Sequence, residues 1–366
     1  MTSNNAPDPL RVGVVGCGVI SKIYLENLQR FSRTAVVAVA DSDETRAKAR
    51  AAEFGVPHAL TTRDLIAHDD VDLVLNLTPP VAHHPVSLAA VDAGKHVYNE
   101  KPLTIDFDNA GELLAVARKR GVRVGCAPDT VLGVGVQSAR AAIDRGDIGS
   151  PVGFLCAFQN RGPESWHPDP DFFYKRGAGP LFDMGPYYLS MLVTLLGPIR
   201  SLCAVARPTF DTRTIRSDPR RGQTIDVETP THIHTLLHFR NGAAGTLLTS
   251  FDVAATNLPR GELYGSTGTL NLPDPNSFKG PVGVHDGQDW RDLEEVPGFS
   301  DNSRGIGVAQ MADAIQHGTP HLASGELALH VLEAMHAALR SWELGRWIEL
   351  ESQLDRPAPM PADFRP

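Results

Sequence analysis

The alternation of short apolar segments with helical segments over residues 1–130 is the feature that most constrains the fold. The predicted strands are 10–15, 35–40, 72–77, 96–99 and 122–127. The predicted helices lie between them, at 19–31, 43–54, 82–93 and 106–120. Strands that alternate with helices form βαβ units, in which helices cover both faces of a parallel sheet. Residues 1–130 are therefore predicted to form a doubly wound α/β domain.

The pattern changes in residues 131–366, where longer segments alternate apolar and polar side chains. A helix is predicted at 181–196, and strands at 231–239, 243–251, 261–265 and 269–272. Asn241-Gly242 joins the first two of these strands, and this pair is typical of a hairpin turn. Because strands joined by hairpins are antiparallel, this second part of the chain is predicted to be an α+β domain.

Three other segments of the second part carry weaker signals. Residues 211–228 and 273–304 are polar and rich in Gly, Pro, Asp or Arg, and we predict surface loops there. An amphipathic helix is predicted at 325–345, where apolar residues recur every four positions. This closing helix can pack back on the first domain.

Composition and charge exclude several classes of protein. The formal net charge of −9 disfavours nucleic acid and anionic membranes as partners, since both require a basic surface. The sequence has no apolar run of about 18 residues, so we expect no membrane span. The four cysteines lack any C-x-x-C spacing, and the polar N-terminus lacks the apolar segment of a signal peptide. We therefore expect a soluble, cytoplasmic protein with reduced thiols.

A glycine-rich turn, GCGVIS at residues 16–21, lies between the first predicted strand and the helix after it. Gly16 permits a tight turn, and Gly18 lets a phosphate approach the backbone. Val19 and Ile20 open the helix, whose N-terminus carries a partial positive charge. The turn predicts a dinucleotide-binding site, although such a turn also occurs in α/β proteins that bind no nucleotide.

Asp41 ends the second predicted strand, about 20 residues after the glycine turn. A carboxylate at this position can accept hydrogen bonds from both ribose hydroxyls of an adenosine, and it repels a 2′-phosphate. NAD is therefore favoured over NADP as the cofactor. The alternative is that Asp41 only caps the helix that follows it.

Glu100-Lys101-Pro102 directly follows the predicted strand 96–99. Because ligands of open parallel sheets bind outside the carboxyl ends of the strands, Lys101 is predicted beside the nicotinamide. Its ammonium group can stabilise an alkoxide, and Glu100 can hold it by charge pairing. The alternative is a solvated loop. Further residues predicted to line the cofactor site are Thr78, Pro79 and His83.

Together these motifs resemble the glucose–fructose oxidoreductase/inositol dehydrogenase/MocA (Gfo/Idh/MocA) family. The segments that carry the resemblance are Pro79-Pro80, 89–96 (AAVDAGKH), Glu100-Lys101-Pro102, 177–188 (GAGPLFDMGPYY) and Gly345-Arg346-Trp347. The resemblance implies an N-terminal Rossmann domain at 1–130. It also implies a substrate-binding domain at 131–366 with a large, open, mostly antiparallel sheet that forms dimers or tetramers. In such enzymes the lysine that matches Lys101 is catalytic.

Many members of this family carry an Asp, then a His four residues later, and then another Asp. In this chain Asp183 matches the first Asp, Tyr187 stands at the His position, and Ser190 replaces the later Asp. The tyrosine resembles the branch that includes glucose–fructose oxidoreductase and dihydrodiol dehydrogenase. Since residues four apart share a helix face, Asp183 and Tyr187 can point at one substrate.

We predict that Tyr187 is the general acid/base of a hydride transfer. A tyrosine has an ordinary pKa of about 10, so it exchanges protons near neutral pH only if a nearby cation favours its phenolate. Lys101 can supply this cation while it also stabilises the substrate oxyanion. Asp183 would orient the substrate or the lysine. The alternative is that Tyr187 and Tyr188 are both core aromatics, and Tyr188 is the competing catalytic candidate.

The resemblance implies that the substrate is a sugar, glycoside or polyol. An aromatic and polar loop precedes the helix at 181–196, and its aromatic faces can stack on sugar C–H groups. The alternative is a loop that folds over its own aromatic side chains. The predicted substrate-binding residues are Lys101, Asp129, Asn160, Arg161, Trp166, His167, Asp183 and Tyr187. His232, His234 and His238 share one face of a predicted strand; a sheet surface is favoured there over a metal site, and we predict no metal.

Two other functions stay open. One is an NAD-retaining lyase or glycosidase that acts through a transient keto-sugar, and the other is a non-catalytic sensor that binds NAD or a sugar.

Overall fold

The computed structural model describes residues 8–366, which form two compact units. The first unit consists of residues 8–133, 298–329 and 359–366, and the second of residues 134–297 and 330–358. The chain thus leaves the first unit close to the predicted boundary at residue 130. Of the closing helix predicted at 325–345, only residues 325–329 belong to the first unit. That the rest of residues 298–329 and residues 359–366 belong to this unit was not predicted from the sequence.

The first unit contains a six-stranded parallel sheet. Its strands are β1 (Leu10–Val15), β2 (Thr34–Ala40), β3 (His58–Leu60), β4 (Leu73–Asn76), β5 (His96–Asn99) and β6 (Val124–Cys126). The strand order β3-β2-β1-β4-β5-β6 is that of a Rossmann domain, which confirms the predicted doubly wound fold. Val15 pairs with both Ala40 and Asn76, and Asn76 pairs with Asn99, so these strands end in register at one edge.

The described chain forms nine α-helices. These are α1 (Ser21–Leu28), α2 (Glu44–Phe54), α3 (Thr62–Ala67), α4 (His83–Asp92), α5 (Phe107–Arg120), α6 (Val134–Arg145), α7 (Pro180–Leu196), α8 (Ile306–His317) and α9 (Gly325–Leu344). None of them, within residues 8–366, is long and apolar enough to cross a bilayer.

The ends of the helices follow from local chemistry in α2 and α5. Asp43 caps α2 by accepting hydrogen bonds from the amides of Thr45 (3.0 Å) and Arg46 (3.3 Å). Gly121 ends α5 with a φ of 68°, because glycine adopts this left-handed conformation without strain. Asp106 precedes α5 at the N-cap position, but its side chain accepts no capping hydrogen bond.

The second unit is built on a nine-stranded sheet and a separate two-stranded sheet. The strands are β7 (Pro151–Gln159), β8 (Ile199–Arg207), β9 (Thr212–Thr214), β10 (Thr224–Asp226), β11 (His232–Phe239), β12 (Ala244–Ser250), β13 (Gly261–Gly265), β14 (Thr269–Asn271), β15 (Gly283–His285), β16 (Trp290–Asp292) and β17 (Ile348–Glu349). The large sheet has the order β16-β15-β14-β13-β7-β12-β11-β8-β17. Only its β7–β12 pair is parallel, which confirms the predicted mostly antiparallel sheet.

Two predicted surface loops of the second unit contain strands, and these predictions are therefore wrong in part. Residues 211–228 contain β9 and β10, which form the two-stranded sheet. Residues 273–304 contain β15 and β16, which extend the large sheet at one edge. Each of these strands has three residues, which is too short for a period-two pattern to be recognised.

Helix α7 packs against β7, β11 and β12 and supplies much of the core of the second unit. Its residues are buried with one exception, Asp183, which is half-buried. The helix itself carries apolar residues on all of its faces, as expected of a helix in the interior of a domain. The position of a carboxylate in such a helix requires a reason other than packing.

Candidate active site

The glycine turn after β1 has a geometry that excludes side chains at one position and leaves space at another. Gly16 has a φ of 99°, and a Cβ there would lie 2.7 Å from the carbonyl carbon and oxygen of Leu77, just beyond β4. A Cβ on Gly18 would meet no atom within 4 Å. Gly16 therefore allows the close approach of two chain segments, and Gly18 faces open space.

The segment after the turn is open at the start of α1. Val19 is 95% exposed, which is unusual for a valine beside a buried strand. Within residues 8–366, the amides of Gly18, Val19 and Ile20 donate to no protein acceptor. Amides exposed in this way at a helix N-terminus form a site for an anion such as a pyrophosphate.

Asp41 lies at the end of β2, next to the same turn. Its carboxylate accepts hydrogen bonds from the amides of Cys17 (2.8 Å) and Asp43 (2.9 Å). Burial opposes ionisation of Asp41, but these two amides and the Arg46 cation outweigh it and hold the pKa below its usual value. The side chain is therefore an ionised acceptor at neutral pH.

Arg50 supports the glycine turn, and the sequence did not single it out. Its Nη2 lies 3.4 Å from the carbonyl oxygen of Cys17 and 3.3 Å from that of Gly18. Its Nη1 pairs with Glu53 at 2.6 Å, and Glu53 also pairs with Lys22 of α1 at 3.0 Å. No sequence pattern marks a helical arginine for this role, because its partners are 32 and 33 residues away.

These features together fit a dinucleotide. Open space at Gly18, free amides at the start of α1 and an ionised carboxylate after β2 match a pyrophosphate and an adenosine ribose. They lie at the carboxyl edge of the sheet, where β1 and β4 are neighbours and the direction of the strand order reverses. Open α/β sheets bind ligands at this crevice.

A network of hydrogen bonds fixes the backbone of the segment after β5. Glu100 accepts hydrogen bonds from the hydroxyl of Tyr24 (2.7 Å) and from the Lys101 amide (2.9 Å). Ser87 donates to Asn99 at 2.7 Å, and Asn99 donates to the carbonyl of Leu103 at 3.1 Å. The backbone that carries Lys101 is thereby fixed on both sides.

His83 connects the two predicted cofactor segments. One ring nitrogen lies 2.6 Å from the carbonyl oxygen of Pro102, and the other lies 2.8 Å from that of Thr78. His83 is 1% exposed, whereas Pro79 is exposed. The structure therefore places His83 beneath the segments that follow β4 and β5, where it positions backbone.

Asp129 follows β6 and is 1% exposed. Its Oδ2 accepts hydrogen bonds from the amides of Gly305 (2.8 Å) and Gly307 (3.0 Å). Burial raises the pKa of Asp129 to about 6, although these two amides act in the opposite direction. Its carboxylate is engaged with backbone groups, so a positioning role replaces the predicted substrate contact in our interpretation.

In the second unit, the two adjacent tyrosines of α7 lie on different faces of the helix. Tyr188 is fully buried, and its hydroxyl donates to the carbonyl of Ala157 in β7 at 3.1 Å. Burial raises the pKa of Tyr188. Tyr187 is 8% exposed and lies one helical turn after Asp183. Tyr188 is therefore a core residue, and Asp183 and Tyr187 are the pair that shares a face of α7.

The loop between β7 and α7 holds the remaining predicted substrate residues. Asn160 accepts a hydrogen bond from the Gly162 amide at 2.9 Å, and the Arg161 side chain is exposed. Trp166 is 63% exposed, and its ring lies edge-on to His167, with ring centroids 5.3 Å apart. The loop thus presents an aromatic surface and an arginine to solvent.

A buried ion-pair network lies beside this loop, and the sequence did not predict it. The side chain of Arg213 in β9 is 8% exposed, and it pairs with Glu164 at 2.6 Å and with Asp252 at 2.5 Å. Tyr174 donates its hydroxyl to Glu164. Because residues 211–228 were predicted as a loop, a buried role for an arginine in this segment was missed.

The histidine row on β11 contains one close pair. His232 Nε2 lies 3.2 Å from His234 Nε2, and His232 Nδ1 lies 2.8 Å from Ser250 Oγ. Burial and the neighbouring His232 lower the pKa of His234. No cluster of three or more potential metal ligands occurs in the described part of the chain.

Comparison with known proteins assigns the chain to a family. Residues 10–127 match the family model described as an oxidoreductase family with an NAD-binding Rossmann fold. Residues 136–271 match the GFO/IDH/MocA C-terminal domain.

Individual relatives match over different lengths. The match to the uncharacterized oxidoreductase YrbE of Bacillus subtilis is 28% identical and covers 50% of this chain and 53% of that protein. Inositol 2-dehydrogenase 1 of Saccharopolyspora erythraea is 30% identical, over 95% of this chain and 98% of that protein. The crystal structure of an NAD-binding oxidoreductase from Klebsiella pneumoniae is 26% identical, with a TM-score of 0.83 over 94% of this chain and all of that one. The chain therefore belongs to the GFO/IDH/MocA family of oxidoreductases.

Proposed function

We propose that the protein is an NAD-dependent dehydrogenase or reductase, which moves a hydride between the nicotinamide and a C–OH or C=O carbon of a sugar, glycoside or polyol. The observation that carries this proposal is the open glycine turn beside the ionised Asp41 carboxylate. The name of the S. erythraea relative, an inositol dehydrogenase, supports a cyclic polyol or a sugar as the substrate class.

The charge of Asp41 supports NAD rather than NADP as the cofactor. Its carboxylate is held ionised by two amides, so it offers acceptors to ribose hydroxyls and repels a phosphate ester. Arg46 lies 3.4 Å from this carboxylate and partly offsets its charge. The Asp41–Arg46 pair therefore presents a hydrogen-bond acceptor, and not an uncompensated cation, at the end of β2.

The roles of the side chains follow from their chemistry. The bound nicotinamide supplies or accepts the hydride. Lys101, on a backbone fixed by Glu100 and Asn99, donates to the substrate oxygen and stabilises negative charge on it. Tyr187 takes the hydroxyl proton during oxidation and returns it during reduction, and the lysine cation favours its phenolate. Asp183 orients the substrate hydroxyls.

The position of Asp183 supports this assignment. It is the one residue of α7 that is not buried, in a helix whose other residues fill the core. Tyr187 follows it by one turn, and Tyr188 lies on another face of α7, where its hydroxyl donates to the carbonyl of Ala157. The two tyrosines therefore provide a matched pair for mutagenesis.

The test is the turnover of Tyr187→Phe and Tyr188→Phe with NAD and a panel of inositols, sugars and glycosides. We expect Tyr187→Phe to lower kcat by about 10²–10⁴-fold, because a positioned acid/base contributes that much. Tyr188→Phe should keep kcat within about twofold and lose roughly 1 kcal/mol of stability. Full turnover by Tyr187→Phe would remove the tyrosine from the mechanism. Product without net NADH would instead indicate a lyase that retains NAD.

We also propose that the outer face of the nine-stranded sheet joins copies of the chain into a dimer or tetramer. Val205 (71% exposed) and Leu236 (47% exposed) lie on this face with His234, which pairs with Val205 across β8 and β11. Exposed apolar residues on a broad sheet face are typical of an interface. Light scattering of wild type and Val205→Glu tests this; an unchanged monomeric mass in both would contradict it.

A further inference from the structure

A cavity of about 270 Å³ opens at the end of the large sheet in the second unit. It lies where β7 and β12 end, next to β9 and the loop after β7. Three arginines and two carboxylates line it, so its formal charge is +1 in a chain whose net charge is −9. A local positive charge in an acidic protein marks a place that attracts anions.

One wall of the cavity consists of ion-paired side chains that bond to one another and to the backbone. Arg213 donates to Glu164, to Asp252 and to the carbonyl oxygens of Arg161 and Phe251. Asp252 also accepts from Thr231 at 2.5 Å, and Glu164 accepts from Tyr174. Both carboxylates are thus satisfied within the protein, and their charge is compensated.

Two other arginines leave donors available toward the cavity. Arg216 uses Nη2 for one bond to Glu164 at 3.2 Å, and its side chain is 44% exposed. Arg161 is exposed, and its guanidinium makes no hydrogen bond to any of residues 8–366. A guanidinium has five N–H donors, so both side chains can donate hydrogen bonds to a ligand carboxylate. The planar shape of a guanidinium also matches that of a carboxylate.

The rest of the lining suits a hydroxylated compound. Phe210 is 50% exposed, and its ring has Arg213 at 5.3 Å from the ring centroid on one side. Thr212 and Thr214 of β9 are exposed and also line the cavity. An aromatic face packs on sugar C–H groups, and threonine hydroxyls donate to and accept from sugar hydroxyls.

We propose that this cavity binds the carboxylate of a small polyhydroxylated acid, with the carboxylate at Arg161 and Arg216 and the ring against Phe210. The formal charge of +1 matches one carboxylate and is insufficient for a dianionic phosphate. The cavity volume suits a single sugar unit. This site rests on the second unit alone, so it stands independently of the proposed hydride transfer.

Isothermal titration calorimetry of the full chain tests the site, with D-glucuronate as the acidic probe and D-glucose as its neutral counterpart. We expect glucuronate to bind at least tenfold more tightly than glucose. Arg216→Gln should weaken glucuronate roughly tenfold, since it removes a charge-assisted hydrogen bond, and should leave glucose unchanged. Arg221→Gln, which removes an exposed arginine paired with Asp218, is the matched control and should change neither affinity.

Equal affinity for the two probes, or equal losses in Arg216→Gln and Arg221→Gln, would overturn the proposal. Should Arg216→Gln fail to fold, Arg161→Gln provides the same test, because the Arg161 guanidinium bonds to no residue in the described range 8–366. A Lys101→Met variant then separates two sources of the carboxylate. If wild type oxidises glucuronate and Arg216→Gln raises only its KM, the acid is the substrate. If glucuronate binds but is not oxidised, the acid is a separate ligand, and Lys101→Met binds it as wild type does.

Discussion

The glycine turn of the first unit and the Arg213 cluster of the second are both built from backbone and charge, yet they differ in how far apart their parts lie in the sequence. The turn, GCGVIS, occupies consecutive residues between β1 and α1. Arg213 lies 49 residues from Glu164 and 39 residues from Asp252. A motif of consecutive residues reveals its chemistry in the sequence, whereas a cluster assembled by strand pairing does so only in the fold.

The same difference affects what a substitution does. In the turn, a new side chain meets the backbone of one neighbouring segment, so binding suffers more than folding. In the cluster, loss of Arg213 removes the buried cation that compensates two buried carboxylates, so the free energy of unfolding falls before binding is affected.

The largest expected effect is that of Arg213→Met. Because Glu164 and Asp252 are 1% and 4% exposed in their side chains, loss of their partner should lower the free energy of unfolding by about 3–5 kcal/mol. Arg221→Met, at an exposed i,i+3 pair, should change it by less than about 0.5 kcal/mol. Urea unfolding measures both. A loss in Arg213→Met no larger than in the control would show that the cluster is not a structural centre.

Gly16→Ala tests the turn. The left-handed φ of 99° and the contact at 2.7 Å should together cost roughly 100-fold in NAD affinity, measured by calorimetry. Gly55→Ala is the matched control, because Gly55 has a φ of 64° but no atom within 4 Å of its Cβ position. It should lose stability without loss of NAD affinity. Equal NAD affinities in the two variants would mean that the close approach at Gly16 does not shape the site.

Asp129 sharpens the comparison, because it is a long-range contact inside the first unit. Its pKa of about 6 in the folded protein is above the unfolded value of about 3.9. The folded state therefore holds this proton more tightly, and the stability that it contributes is lost as pH rises from about 4 to about 6. Asp129→Asn keeps an acceptor for Gly305 and Gly307 but cannot ionise.

The unfolding free energy of wild type minus that of Asp129→Asn should thus fall by on the order of 2 kcal/mol across this window. Thermal or urea unfolding at several pH values measures the difference. A difference that stays constant from about pH 4 to about pH 6 would show that folding does not raise the pKa of Asp129 into this range.

Asp41→Ser has the smallest expected effect. Serine keeps a short polar side chain at the end of β2 but removes the charge, so NAD affinity should fall about tenfold while NADP affinity rises. Asp43→Ser is the control, since Asp43 caps α2 nearby and serine also caps helices. It should leave the ratio of the two affinities unchanged. If both variants shift that ratio equally, Asp41 does not select the cofactor.

Much of the first unit could be predicted because its signals are local. The predicted strand at 10–15 and the strand at 96–99 coincide with β1 and β5, and the residues after them carry the candidate cofactor site. Helix α7 was also recognisable, since its apolar run is bounded by Gly179 and Gly197. Within it, the hydrogen bond from the Tyr188 hydroxyl to the carbonyl of Ala157 assigns Tyr188 to the core, and the sequence alone does not show this contact.

The parts that could not be predicted depend on long-range pairing. Strands β9 and β15 are three residues long and have no recognisable period, so their segments looked like loops. Residues 298–329 belong to the first unit, but no change in composition marks the two points at which the chain passes between the units. Arg50 and Arg213 look like ordinary surface arginines in the sequence, because their roles come from partners far along the chain.

The most direct test of the central claim is to mix the purified protein with NAD, and separately with NADP, and to follow reduced-cofactor fluorescence with a panel of inositols, sugars and glycosides. The expected result is NADH formation with at least one cyclic polyol or sugar, and weaker or no activity with NADP. An absence of affinity for both dinucleotides, in protein shown to be folded, would contradict it.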